Sequence, residues 1–168
     1  MKLLKTIDPD TMATNNREGW LERRAARAIV FDDAGCIALL HVSTKNYYKL
    51  PGGGIEDGES MESALRRECE EELGVNIEIM QEVGEIIQYN SKTKFYQESF
   101  CYVAKLASIK GTPKFTEEEQ VDGFGIVWTS PQKALSLLDD NSVADYEGGF
   151  IVKRDHCFLT EGMKLIAK

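Results

Sequence analysis

The chain has 168 residues, 42% hydrophobic and 29% charged, the size and balance of one ordinary globular domain with no comfortable room for a second. Lysine and arginine number 20 against 28 acids, a formal net charge of -8, which argues against binding long nucleic acid through a basic surface. A small anionic substrate stays compatible, provided that a metal and a few local cations hold it against the field of the whole protein.

Residues 1 to 20 are polar, carry Pro9 and Asn15-Asn16, and read as a loose leader or one added element. Their first residues lack the apolar core of a secretory signal, and no later apolar run is long enough to span a bilayer. Ala28 to Phe31 and Cys36 to Val42 are apolar runs on either side of Asp32-Asp33-Ala34-Gly35, the signature of a hairpin. Leu50-Pro51 then leads into Gly52-Gly53-Gly54, which can continue neither strand nor helix and instead places bare backbone near something.

Ser60 as N-cap and Gly74 as terminator bound a helix over Met61 to Leu73. Downstream, Ile77 to Ile87, Lys94 to Leu106 and Gly125 to Trp128 read as strands. Pro131 to Leu138 is a short helix opened by proline, and Asp145 to Lys168 is helical in part. Cys36, Cys69, Cys101 and Cys157 stand singly, so they are expected as buried or half-buried thiols of a cytoplasmic protein rather than as zinc ligands or disulfides.

The chemistry lies on the first helix. At about 100° per residue, Met61, Ala64, Leu65, Cys69 and Leu73 form a buried stripe, and Glu68 and Glu72 fall inside it with Glu71 at its edge. Buried ionised carboxylates without partners cost several kcal/mol each, so these must be protonated, paired with arginine or bound to a cation. An oxygen-only set of this kind suits a hard ion, Mg2+ or Mn2+. The Gly52 carbonyl is available to the same ion, and the bare loop admits a substrate phosphate.

The run Gly53, five residues, Glu59, seven residues, Arg67-Glu68-Cys69, one residue, Glu71-Glu72, one residue, Gly74-Val75 resembles the complete Nudix box across 23 residues. Cys69 stands where that family usually has a larger aliphatic side chain. The resemblance implies an α/β fold, an α/β/α sandwich with a mixed β-sheet, over residues 21 to 140; residues 141 to 168, which no motif covers, are expected as a partly helical tail packed on the same domain. It also implies a hydrolase that cleaves the diphosphate linkage of a nucleoside diphosphate joined to another group, either a nucleoside triphosphate or a nucleotide sugar.

By the same resemblance, Glu68, Glu72, Glu71 and the Gly52 carbonyl hold the metal, Glu59 stands near it, and Arg67 orients a glutamate. An acid from a later loop completes the site, drawn from Glu117, Glu118 and Glu119 and assigned here to Glu118. Glu71 or that later acid takes the proton from water. Gly53, Gly54, Lys49 and Arg27 meet the substrate; Lys45 and Arg24 are further cations nearby, and Tyr47 or Tyr48 could stack on a base. No proline follows between Pro51 and Pro113, which weighs against ADP-ribose.

Two readings from other classes compete: a silent nucleotide sensor on the same fold, and a prenyl diphosphate isomerase. His41 and His156 give the isomerase thin support and give a Ser-His-Asp apparatus none. The expected partners are a small nucleotide and neither long nucleic acid nor membrane, and the tail offers a contact for a homodimer.

Overall fold

The computed structural model describes residues 1–8, 17–139, 143 and 146–166. Pro9, Asn15-Asn16 and the ends of the expected C-terminal helix at Asp145 and Lys168 lie outside the described residues. Along the chain run β1 (Leu3–Ile7), β2 (Leu21–Phe31), β3 (Ile37–Val42), β4 (Tyr47–Lys49), α1 (Met61–Leu73), β5 (Ile77–Asn90) and β6 (Phe95–Leu106). Then follow α2 (Glu117–Val121), β7 (Phe124–Thr129), α3 (Pro131–Leu138) and α4 (Tyr146–Ile166).

The strands form one mixed sheet in the order β1-β5-β6-β2-β3-β4, with β7 also paired to β3. β2 and β6 run parallel in unbroken register from Leu21↔Phe95 to Phe31↔Lys105, and β1 runs parallel to β5. The first residues thus supply an added edge strand. The expected hairpin closes only at its turn: β2 and β3 pair at Phe31↔Ile37 and then part. Asp32 Oδ1 holds that turn by accepting from the amides of Ala34 and Cys36 at 3.0 and 2.9 Å.

The gap left in the sheet is filled by the glycine segment. Ala26 N–H donates to Gly53 O and Ala28 N–H to Pro51 O, both at 3.0 Å, while Ile55 N–H donates to Arg24 O at 2.9 Å. This edge of β2 is therefore paired with the backbone of Pro51, Gly53 and Ile55, which gives its buried amides the partners they require.

Alternation along β2 sends Ala26, Ala28 and Val30 to one face, against Ala64, Leu65, Cys69 and Leu73 of α1. Ile29, with Val103 and Ile86, faces the other way, against Leu138 of α3 and Phe158 and Leu159 of α4. The result is the α/β/α sandwich that the resemblance implied. Each fully buried leucine in these layers contributes roughly 1.5–3 kcal/mol relative to exposure.

Helix α1 has the expected ends. Ser60 Oγ accepts from Ser63 N–H at 3.1 Å, and Gly74, at φ 66°, donates its amide to Glu70 O at 3.0 Å. Cys69 and Cys101 are buried, and Cys36 and Cys157 are half-buried free thiols. No helix among the described residues is long and apolar enough to cross a membrane.

Candidate active site

Because the sheet opens between β2 and β3, a helix on one face can reach the other. Glu72, 2% exposed, passes its carboxylate through the glycine segment: Oε2 accepts from Gly52 N–H at 2.6 Å and Oε1 from Lys49 Nζ at 2.9 Å. Glu68 lies one turn earlier, with its carboxylate against the Cα of Gly53, where an added Cβ would stand 2.2 Å from Oε1. A side chain at position 53 would fill the space that Glu68 occupies. Burial, and then the charge of Glu72, raise the pKa of Glu68, against the pull of Arg67 and Arg27.

Arg67 gathers the outer carboxylates. Its Nε and Nη2 donate to the two oxygens of Glu59 at 3.1 and 3.0 Å, and Nη1 donates to Glu68 at 2.9 Å and to the exposed Glu71 at 3.2 Å. Nη2 also reaches Gly54 O at 3.0 Å, which ties the helix to the glycine segment. The hydrogen bonds to Glu59 are the main reason the Arg67 pKa is raised, and the same bonds lower that of Glu59.

These groups open onto a cavity of about 760 Å³, a normal size for a small-molecule site. Gly52, Gly53, Glu68, Glu71, Glu72 and Arg67 form one wall, and Lys49 and Arg27 also line it. As the side chains stand, no group of three His, Cys, Asp or Glu among the described residues is arranged to hold a metal ion. Oε1 of Glu68 is engaged with Arg67, and the two oxygens of Glu72 with Lys49 and the Gly52 amide.

Of the later acids, Glu119 lines the cavity, whereas Glu118 is exposed on α2 outside that lining. Glu119 also takes part in a capping box, accepting from Thr116 N–H at 2.8 Å. Lys45 pairs with Asp122 and Arg24 with Glu98. Tyr47 is on the cavity wall, but Tyr48 stacks on His41 with ring centroids 4.4 Å apart.

Arg154 and Asp155 of α4 escaped the sequence reading. Arg154 Nε donates to Asp155 Oδ1 at 2.6 Å, and Asp155 Oδ2 accepts from Leu50 N–H at 2.8 Å, just before the glycine segment. Both are buried, Asp155 within the stripe Gly148, Val152, Asp155, Leu159, Gly162 and Arg154 on the flanking row Phe150, Arg154, Phe158. Charge inside a stripe of i, i+3, i+4 spacing, the signal that singled out Glu68 and Glu72, was present here too.

Comparison with known proteins agrees with this geometry. The NUDIX domain family profile matches residues 21–147. An RNA pyrophosphohydrolase of Campylobacter jejuni is 38% identical over 58 residues, 34% of this chain and 37% of its own length. The chain thus spans little more than a third of that relative. A nucleoside triphosphatase NudI of an Enterobacter species is 62% identical over 32 residues, 19% of this chain and 23% of that protein. Among solved structures, a MutT protein from Methanosarcina mazei Go1 matches with a TM-score of 0.58 at 17% identity, covering 86% of this chain and 97% of that one. With the family profile spanning most of the chain and the box intact, the protein belongs to the Nudix, or MutT-type, hydrolase family.

Proposed function

We propose that the protein is a divalent-metal-dependent pyrophosphohydrolase that cleaves the diphosphate linkage of a nucleoside diphosphate joined to another group. The observation that carries this reading is the entry of the Glu72 and Glu68 carboxylates into the cavity beside bare glycine backbone. The names of the relatives, a pyrophosphohydrolase and a nucleoside triphosphatase, are of the same reaction class.

The residues fit a hard cation. The donors are all oxygen, the raised pKa of Glu68 marks carboxylate charge that Arg67 does not fully balance, and Gly53 leaves a cradle that a Cβ would fill. Glu68, Glu72, Glu71 and the Gly52 carbonyl would hold Mg2+ or Mn2+. Such an ion, when bound, activates water and neutralises charge on phosphate oxygens.

The remaining work belongs to the chain. Arg67 holds Glu59, Glu68 and Glu71 in one array, and Lys49 and Arg27 offer cations to the phosphates. A water oxygen forms a bond to one phosphorus, the bridging P–O bond breaks, and the water's proton passes to a carboxylate. Glu71 and Glu119 line the cavity and are the bases we assign; Glu118 would have to move from its exposed place on α2 to serve.

Incubation with Mg2+ or Mn2+ and a panel of nucleotides should release phosphate or pyrophosphate. Glu72→Gln should lower turnover by at least about two orders of magnitude, the scale on which loss of a key electrostatic group acts. Near-wild-type turnover in that variant would remove the assignment. Binding without release by the wild type would favour the sensor, and a rearranged product the isomerase.

A further inference from the structure

The sheet face beneath α4 turns from apolar to polar as it approaches the cavity. Ile29↔Val103 gives way to Arg27↔Cys101 and then to Arg23↔Gln97, while Gln88 on β5 stands opposite Gln97. Arg27 and Arg154, only 5% and 2% exposed, both line the cavity there.

Neither guanidinium is satisfied by the protein. Arg27 Nη1 donates to Ala26 O at 3.1 Å, but its Nε has no acceptor, and one terminal nitrogen of Arg154 has none either. Asp155 is the carboxylate bonded to Arg154, and it shares its second oxygen with Leu50 N–H. Burial and the neighbouring charge of Arg154 pull the pKa of Arg27 down to about 10, against Asp155 and Glu72. Stability alone gives no reason to bury two cations against one shared carboxylate, because apolar residues of similar volume serve as well or better.

We propose that Arg27 and Arg154 form an anion anchor for a third phosphate, beyond the two joined by the cleaved linkage, so that the substrate is a nucleotide ending in a free phosphate rather than one capped by a neutral sugar. The proposal rests on the hydrolase reading of the same cavity. Guanidinium groups match phosphate oxygens with paired, charge-assisted hydrogen bonds. Arg27 and Arg154 line the same cavity as Glu68 and Glu72, so an anchored phosphate shares that cavity with the carboxylates proposed to carry the reaction. A neutral cap in that position would leave both buried cations unmatched, and a site built for a polar partner strongly rejects an analogue that lacks it.

The test compares a nucleoside triphosphate with a nucleoside diphosphate sugar in the full-length protein. In Arg27→Gln, KM for the triphosphate should rise at least about tenfold, the loss expected for a charge-assisted hydrogen bond, with a smaller change for the sugar nucleotide. Because Arg154→Gln alone would strand Asp155, the second variant is Arg154→Gln with Asp155→Asn, and it should behave likewise. An unchanged KM, or equal losses for both substrates, would overturn the anchor.

Calorimetric titration with inorganic tripolyphosphate in EDTA reads the anchor without turnover. Affinity should fall about tenfold in Arg27→Gln. Equal affinity in wild type and variant, or no binding by the wild type, would overturn the proposal. A wild type that binds tripolyphosphate but cleaves no nucleotide would sink the hydrolase reading and leave the anchor standing.

Discussion

Gly52 and Gly53 are neighbours, yet substitution should break different things. Gly52 has φ 126°, and an added Cβ would stand 2.1 Å from the backbone oxygen of Ala26, which cannot yield. Gly52→Ala should cost at least about 2 kcal/mol of stability, measured by urea unfolding. At Gly53 the added carbon meets the end of the Glu68 side chain, which can swing aside. Gly53→Ala should therefore keep its stability within about 1 kcal/mol while losing roughly ten- to hundredfold in turnover, because the carboxylate is pushed from its place. Full turnover in Gly53→Ala would contradict the placement of Glu68.

The same residues show what could be read in advance. Glu68 and Glu72 were legible because their charge breaks an apolar stripe, and the structure brings both to the cavity. Asp155 and Arg154 each interrupt a buried apolar row of α4 in the same way, but in a segment that no motif covers. Their tie to Leu50, over a hundred positions earlier, is a tertiary fact with no local signature.

Among the elements, those with strong end signals were legible to the residue. Helix α1 begins after Ser60 and ends at Gly74, and α3 spans Pro131–Leu138, as their caps indicated. The missed pieces are short. β4 has three residues and is recognised only through its pairing with β3, and α2 has five, in a run of charge that reads equally well as loop. The hairpin turn was legible but the divergence beyond it was not, since that depends on the glycine segment returning to β2.

The end of α1 offers a test at this scale. Gly74 is left-handed, at φ 66°, and an added Cβ would stand 2.7 Å from the backbone of Thr112. Gly74→Ala should cost roughly 1–2 kcal/mol in chemical denaturation, from the strained conformation and the displaced loop. An unchanged midpoint would mean that the helix end is not held as described.

At the scale of the molecule, the sheet separates roles. β1 lies at one edge, beyond β5 and β6, while the cavity carboxylates enter beside β2. Ile7 is buried and Leu4 packs against the same core, so a variant without residues 1–8 should melt at least roughly 4 °C lower, as expected for the loss of two packed apolar side chains in a domain of this size. Its kcat/KM below the melting range should stay within about threefold of wild type, the mark of an edge strand remote from the chemistry. A collapse of kcat/KM with the fold intact would show that the edge reaches the cavity after all.

The unbroken pairing of β2 with β6 has one more consequence. Ala26, Arg27 and Ala28 alternate across the sheet, so a slip of one residue would turn Arg27 toward α1 and present an alanine methyl to the cavity. This strand is a shared ruler for both faces and tolerates neither insertion nor deletion. Diversification of what the cavity accepts is therefore left to places such as Thr93, in the turn that joins β5 to β6, and Glu147, in the first turn of α4, two exposed lining positions where a side chain can be exchanged without resetting the alignment of anything else.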